Sequence, residues 1–340
     1  MSEPFLERAR TLLCELGEAV RARVLAARQN SSPEELGAVV AVTAADTIYA
    51  VDQIGEDAIA EWIEAHWPKS EPVELVMEGV ADGETPTWPA GTPVGATRWK
   101  LILDPIDGTR NLMYDKRPAW MLAALAPQRG AANRLGDLVV AAMTELPTTK
   151  QWRGDQVSAV RGRGLVAEAH DLVRGGRALL HLRPSTATDF VQGFASVVKF
   201  FPEGKALTAR LEEELLRRVQ PAGAKNAGGG SVVFDDQYLC SGGQVFELLA
   251  GRDRMVADLR PLVFRRLGLG SPLACHPYDI CTALLLEEAG GVVERPDGGP
   301  LDAPLDTTTP VAWVGYANAA LAARVRPVLR ELCAELLGAP

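Results

Sequence analysis

The segment Leu101–Asn111 reads LILDPIDGTRN and holds the residues best suited to chemistry. An apolar run ends at Asp104, Pro105 fixes φ, and Asp107 follows three residues after Asp104. Two carboxylates that bracket a rigid turn at a strand end can converge on one point. Ile106, apolar and between them, can turn its side chain inward and its carbonyl outward. Carboxylate and carbonyl oxygens are the ligands that hard divalent cations take. Gly108 and Thr109 then offer backbone N–H groups that suit a phosphate oxygen. Close carboxylates repel, so without a cation at least one is driven toward protonation. The same letters also suit a surface β-turn, in which Asp, Pro and Gly are ordinary residues.

Other acids stand at the ends of expected elements, where loops assemble sites. Glu78 closes the apolar run Val73–Met77 and reads either as a ligand or as a solvated loop acid. Asp279 precedes a helix expected over Ile280–Ala289, where one oxygen suits an N-cap and the other a metal. Asp46, three residues after Thr43, resembles the acid of a capping box at the start of a helix expected over Ala44–His66. Asp258 ends the strand-like run Met255–Ala257; it could accept hydrogen bonds from vicinal hydroxyls or simply face water. Arg110, Lys116 and Arg117 could contact a second anionic group, but solvated surface charge is the favoured reading. Gly228–Gly230 lacks the G-K-[ST] ending of a P-loop and reads as a loop.

The elements that would position these residues divide into two patterns. Phe5, Ala9, Leu12, Leu13, Leu16, Val20 and Val24 recur at helical spacing within residues 3–28. After the second helix come apolar runs at Val73–Met77, Leu101–Leu103, Met121–Leu125 and Leu138–Met143, mostly separated by turn residues. This predicts much antiparallel pairing. The later half alternates a helix at Leu207–Val219, a short helix at Gln244–Ala250, strands near 292–293 and 312–316, and a closing helix at Leu321–Leu337 capped by Asn318. The expectation is an α+β protein with an N-terminal lobe over 1–185 carrying the metal motifs and a C-terminal α/β lobe over 186–340 supplying Asp279 and substrate contacts.

Bulk composition narrows the function. The 340 residues are 47% hydrophobic and 23% charged, enough for a sizeable core and unlike a disordered chain. A net charge of −9 disfavours a nucleic-acid groove. It still permits a small anionic substrate where metal ions supply local positive charge. Five cysteines without C-x-x-C spacing and four dispersed histidines argue for reduced thiols and against a zinc site. With no signal-like start and no apolar run of about 18 residues, a cytoplasmic protein without a membrane or nucleic-acid partner is expected.

Taken together and in order, these segments resemble the inositol monophosphatase superfamily, which includes fructose-1,6-bisphosphatases and 3′-phosphoadenosine phosphate nucleotidases. DPIDGTRN is similar to the family's D-P-[IL]-D-G-[ST]-x-N. VTAAD over 42–46 is similar to V-T-x-x-D, and PYD…EAGG over 277–291 to W-D…E-A-G-G. CSGGQVFELLAGRDRMVAD over 240–258 is similar to the G-S-x-A segment and the stretch before a substrate-contacting acid. The resemblance implies a layered αβαβα sandwich and a homodimer. It implies a Mg2+-dependent phosphomonoesterase acting on a small sugar, polyol or nucleotide phosphate through metal-activated water. A bisphosphate nucleotidase, a fructose bisphosphatase, or a phospholigand-binding protein are the alternatives. Glu78, Asp104 and the Ile106 carbonyl would hold one ion, and Asp104, Asp107 and Asp279 a second, with Glu78 sharing a third. Thr109, oriented by Asp46, would position the water; Asp107, Gly108, Thr109 and Asp258 would contact substrate. Three departures stand out. Gly79 replaces the second acid of an E-E pair, Tyr278 replaces a Trp, and the stretch 259–278 is longer than in compact inositol phosphatases.

Overall fold

The computed structural model describes residues 3–31, 33–42, 47–80, 84–220, 232–270 and 273–338. Its main sheet has eight strands. From one edge these are Arg177–Leu179, Leu165–Asp171, Arg153–Val160, Val140–Leu146, Ala119–Pro127, Trp99–Asp107, Val73–Met77 and Thr87–Trp88. All neighbours run antiparallel except Val73–Met77 and Trp99–Asp107, which run parallel. The central strands read as continuous apolar runs because both faces are covered. Leu101 and Leu103 face one helical layer and Ile102 the other.

The outer layer is the helix pair Glu3–Asn30 and Ala50–His66. The first buries Ala9, Leu13, Leu16 and Val20 against the sheet, the face that helical spacing marks out. The opposite face of the sheet meets the helices Ser241–Leu249 and Ala283–Glu288. These in turn lie on a second sheet of five strands, ordered Val233–Phe234, Gly193–Val197, Asp253–Asp258, Trp313–Tyr316 and Val292–Glu294. The helices Lys205–Val219 and Ala319–Leu332 close the far side through Leu211, Leu215, Val325 and Leu329. The layers therefore run αβαβα.

Several boundaries differ from the sequence expectation. The second helix begins at Ala50, after a short strand Thr47–Tyr49. Its first turn is closed by Asp52, whose Oδ2 accepts the Tyr49 N–H at 2.8 Å. The capping pair placed at Thr43 and Asp46 lies outside the described residues, as does the glycine run at 228–230. The helix expected over Ile280–Ala289 spans only Ala283–Glu288, because the chain from Pro277 to Thr282 forms successive turns. Asn318 caps the last helix as expected, its Oδ1 accepting Leu321 N–H at 2.9 Å.

Candidate active site

The strand Trp99–Asp107 runs through the whole DPID motif and is paired with Ala119–Pro127. Asp104 lies opposite Leu122 and Asp107 opposite Trp120, so three steps on one strand match two on the other. This is a bulge with one extra residue at Pro105–Ile106. Proline, having no N–H, fits the unpaired position. In a regular strand, residues three apart point to opposite faces. The extra residue cancels that alternation, and Asp104 and Asp107 come to line one cleft. Ile106 turns its side chain into the core beneath the outer helices, and Asp104 Oδ1 accepts the Ile106 N–H at 3.0 Å. Gly108 follows at φ 93°, a left-handed conformation suited to glycine, and reverses the chain into the short helix Thr109–Met113.

One oxygen each from Asp104, Asp107 and Asp279 lies within 4.8 Å of the others. Asp107 is seated on the start of the helix Ser241–Leu249. Its Oδ1 accepts Ser241 N–H at 3.2 Å, its Oδ2 accepts Gly242 N–H, and the Cys240 thiol donates to Oδ2 at 3.2 Å. Asp279 accepts the His276 N–H at 2.5 Å, closing a turn rather than capping the helix that follows. Glu78 lines the same cleft at the end of its strand, outside this tightest cluster of three.

Burial and mutual repulsion both act on the cluster. Burial, then repulsion from Glu78, Asp107 and Asp279, pushes the Asp104 carboxyl well above its usual range. Burial raises Asp107 to about 6 despite the N–H groups of Gly242 and Ser241. Burial first, and the neighbouring acids second, keeps the thiols of Cys240, Cys275 and Cys281 protonated. The donor set offered is thus oxygen only. It fits a hard divalent cation, whose charge would relieve the repulsion.

Beside the cluster, Thr109 Oγ1 lies 2.8 Å from Asp52 Oδ1 and 2.9 Å from the Ile106 carbonyl. Asp46, the partner expected for Thr109, lies outside the described residues; the carboxylate that the structure places on the hydroxyl is Asp52, 5% exposed. A sequence signal for it exists: Asp52 stands at the third residue of the helix, where acids are favoured. Gly79 has its own explanation. Its φ is 86°, and a Cβ there would collide with the carboxylate of Glu56. The space of the missing second acid is filled from the helix Ala50–His66, and burial together with Asp52 and Asp57 raises Glu56 to about 7.

Asp258 does not present a carboxylate to the cleft. It is 0% exposed, and Arg260 takes both its oxygens: Nε reaches them at 2.9 and 3.0 Å, and Nη2 reaches Oδ2 at 2.6 Å. The expectation that Asp258 accepts substrate hydroxyls is therefore corrected, because its acceptors are already spent. Arg260 itself lines the cleft, with Phe200, Phe201, Leu239, Leu273 and Ala274. It opens the helix Arg260–Leu267, inside the long stretch 259–278. Of the basic residues after the phosphate motif, Arg110 lines the cleft and Arg117 pairs with Asp236 at 2.6 Å, while Lys116 is exposed.

No family model and no curated protein matches the sequence. Solved structures do match along nearly the full chain. The extragenic suppressor protein SuhB from Bartonella henselae aligns at 16% identity and TM-score 0.62, over 95% of this chain and 99% of that one. Inositol monophosphatase from Anabaena (Nostoc) sp. PCC 7120 aligns at 14% and 0.60, over 96% and 97%. An inositol monophosphatase–fructose 1,6-bisphosphatase, the MJ0109 gene product, aligns at 14% and 0.61, over 98% and 100%. The chain has the fold of the inositol monophosphatase superfamily, in agreement with the motif resemblance. Among the described residues, no helix is long and apolar enough to cross a membrane.

Proposed function

We propose that this protein is a magnesium-dependent phosphomonoesterase acting on a small phosphorylated metabolite. The observation that carries the reading is the convergence of Asp104, Asp107 and Asp279 within 4.8 Å in a cleft that also holds Thr109 and Glu78. Acids this close stay ionised together where a cation is bound; otherwise the repulsion drives protonation. The neighbouring folds include inositol monophosphatases, which supports the same reaction class.

Asp104, Asp107 and Asp279, with Glu78 and the Ile106 carbonyl, would hold two or three magnesium ions. Such ions neutralise phosphate charge and make water a stronger nucleophile near neutral pH. The chain's own groups do the positioning. With its hydrogen directed to Asp52, the Thr109 hydroxyl keeps lone pairs for the attacking water, so its rotor is fixed by a carboxylate on a different element. The first N–H groups of a helical turn lack intrahelical acceptors, so those of Gly108 and Thr109, two residues that line the cleft, would receive phosphate oxygens.

The test is phosphate release from inositol 1-phosphate, fructose 1,6-bisphosphate, adenosine 3′,5′-bisphosphate, sugar monophosphates and an aryl phosphate, each with magnesium or with EDTA. Magnesium-dependent release from at least one is expected. Release that persists in EDTA, or no release from any, would refute the reading.

A further inference from the structure

The cleft that holds the acids is also lined by a cation, Arg260, that the shared chemistry does not require. Arg260 is locked in place by four contacts. Nε and Nη2 fork onto Asp258, Nη1 donates to the Leu273 carbonyl at 2.5 Å, and its own N–H donates to Asp258 Oδ1 at 3.1 Å. Its guanidinium carbon lies 5.3 Å from the Phe200 ring centre and 5.9 Å from that of Phe201. The aromatic rings cover the guanidinium plane, so a ligand reaches it along its edge.

A guanidinium has five N–H groups. The Asp258 fork uses one on Nε and one on Nη2, and Leu273 uses one on Nη1. One N–H on each of Nη1 and Nη2 has no acceptor among the described residues; the side chain is 12% exposed, and the residue lines the cleft. A planar, immobilised donor edge of this kind matches an oxyanion. It has no lone pair for a hydroxyl proton, and Asp258, the acid that could have accepted one, is fully engaged. Leu239, Leu273, Ala274 and the two phenylalanines give the rest of this wall an apolar surface.

We infer that Arg260 is the specificity-determining residue of the cleft: it binds a second oxyanion on the part of the substrate that does not react. The preferred substrate is then a bis-anionic phosphate rather than a neutral polyol monophosphate. This rests on the phosphatase reading of the same cleft. The helix Arg260–Leu267 brings the cation, which ties the substrate preference to the long stretch 259–278.

The experiment compares matched pairs on the magnesium-loaded full chain: adenosine 3′-phosphate against adenosine 3′,5′-bisphosphate, and glucose 1-phosphate against glucose 1,6-bisphosphate. Affinity is read by calorimetry and hydrolysis by phosphate release. In at least one pair the bis-anion is expected to bind at least 10-fold tighter. Arg260→Gln alone would strand buried Asp258, so the ratio is re-measured in the Asp258→Asn/Arg260→Gln double variant, where it should fall to about one. Equal affinities within both pairs of the wild-type protein overturn the inference without any variant. An unchanged ratio in the double variant also overturns it, since Arg260 would then serve only the reacting phosphate or the fold. A 10-fold ratio that the variant abolishes, with no magnesium-dependent phosphate release, supports the Arg260 site while refuting the hydrolytic reading.

Discussion

Removing magnesium while varying pH isolates the free energy stored in the acid cluster. Asp107 ordinarily titrates near 3.8 and is raised to about 6 in the fold, first by burial. At ~1.36 kcal/mol per pH unit, keeping it ionised costs roughly 3 kcal/mol of folding stability. A carboxyl raised in the folded state contributes stability that is full below pH 3.8 and lost as pH rises through about 6. Asp104 acts in the same direction. The metal-free protein therefore loses stability between about pH 4 and 6, and magnesium restores it by neutralising the same charges. His170 and His276 confuse a bare pH profile. Both are lowered to about 4, first by burial, so their contribution is present above pH 6.5 and lost on acidification. The difference in melting temperature between magnesium and EDTA at each pH removes the His170 contribution and leaves, of the two, only the coupling of His276 to Asp279, 3.7 Å away. That difference should be near zero at pH 4.5 and roughly 4 °C or more at pH 7.5, taking about 2 cal/mol/K of unfolding entropy per residue. Asp104→Asn keeps the acceptor for the Ile106 N–H and removes one charge. In EDTA at pH 7.5 it should melt above wild type, yet gain nothing from magnesium. A magnesium effect independent of pH, or an Asp104→Asn protein that melts below wild type in EDTA, would refute the reasoning.

Three other substitutions test separate parts of the site. Thr109→Ala should lower kcat by about 100-fold with the magnesium-induced melting shift intact, and Thr109→Ser should recover most of it; full turnover in the alanine variant rejects the water-positioning role. Asp52→Asn should lower kcat in the same direction without weakening the magnesium shift, measured on the same protein samples. Gly79→Ala should lose about 1–3 kcal/mol in urea unfolding, from its φ of 86° and the collision with Glu56, and Glu56→Ala should recover part of that loss in the double variant.

The parts of this site that were legible in the sequence are those carried by contiguous letters. DPIDG specifies a proline without an N–H, a glycine at a left-handed position and two acids; together these produce a bulge that is local to one strand. Apolar periodicity gave the α+β class and the covered face of the first helix, while the five-layer order came from the resemblance of the motifs to a known family and agrees with the observed fold. What escaped depends on contacts between distant segments. The contact of Asp52 with the Thr109 hydroxyl spans 57 residues, so spacing along the chain does not report it; Asp46, the partner expected there, lies outside the described residues. The role of Asp258 fails on a contact two residues away, which sounds local but is not. Arg260 could have pointed to solvent; it folds back because Phe200 and Phe201, about 60 residues earlier, cover its faces and Leu273 takes its third bond. Gly79 is the most instructive case. Read alone it is a lost acid, but a φ of 86° and the Glu56 carboxylate from the outer helix leave no room for a side chain there. Whether a position can carry an acid is therefore decided by what other elements bring to it, which spacing along one segment does not report.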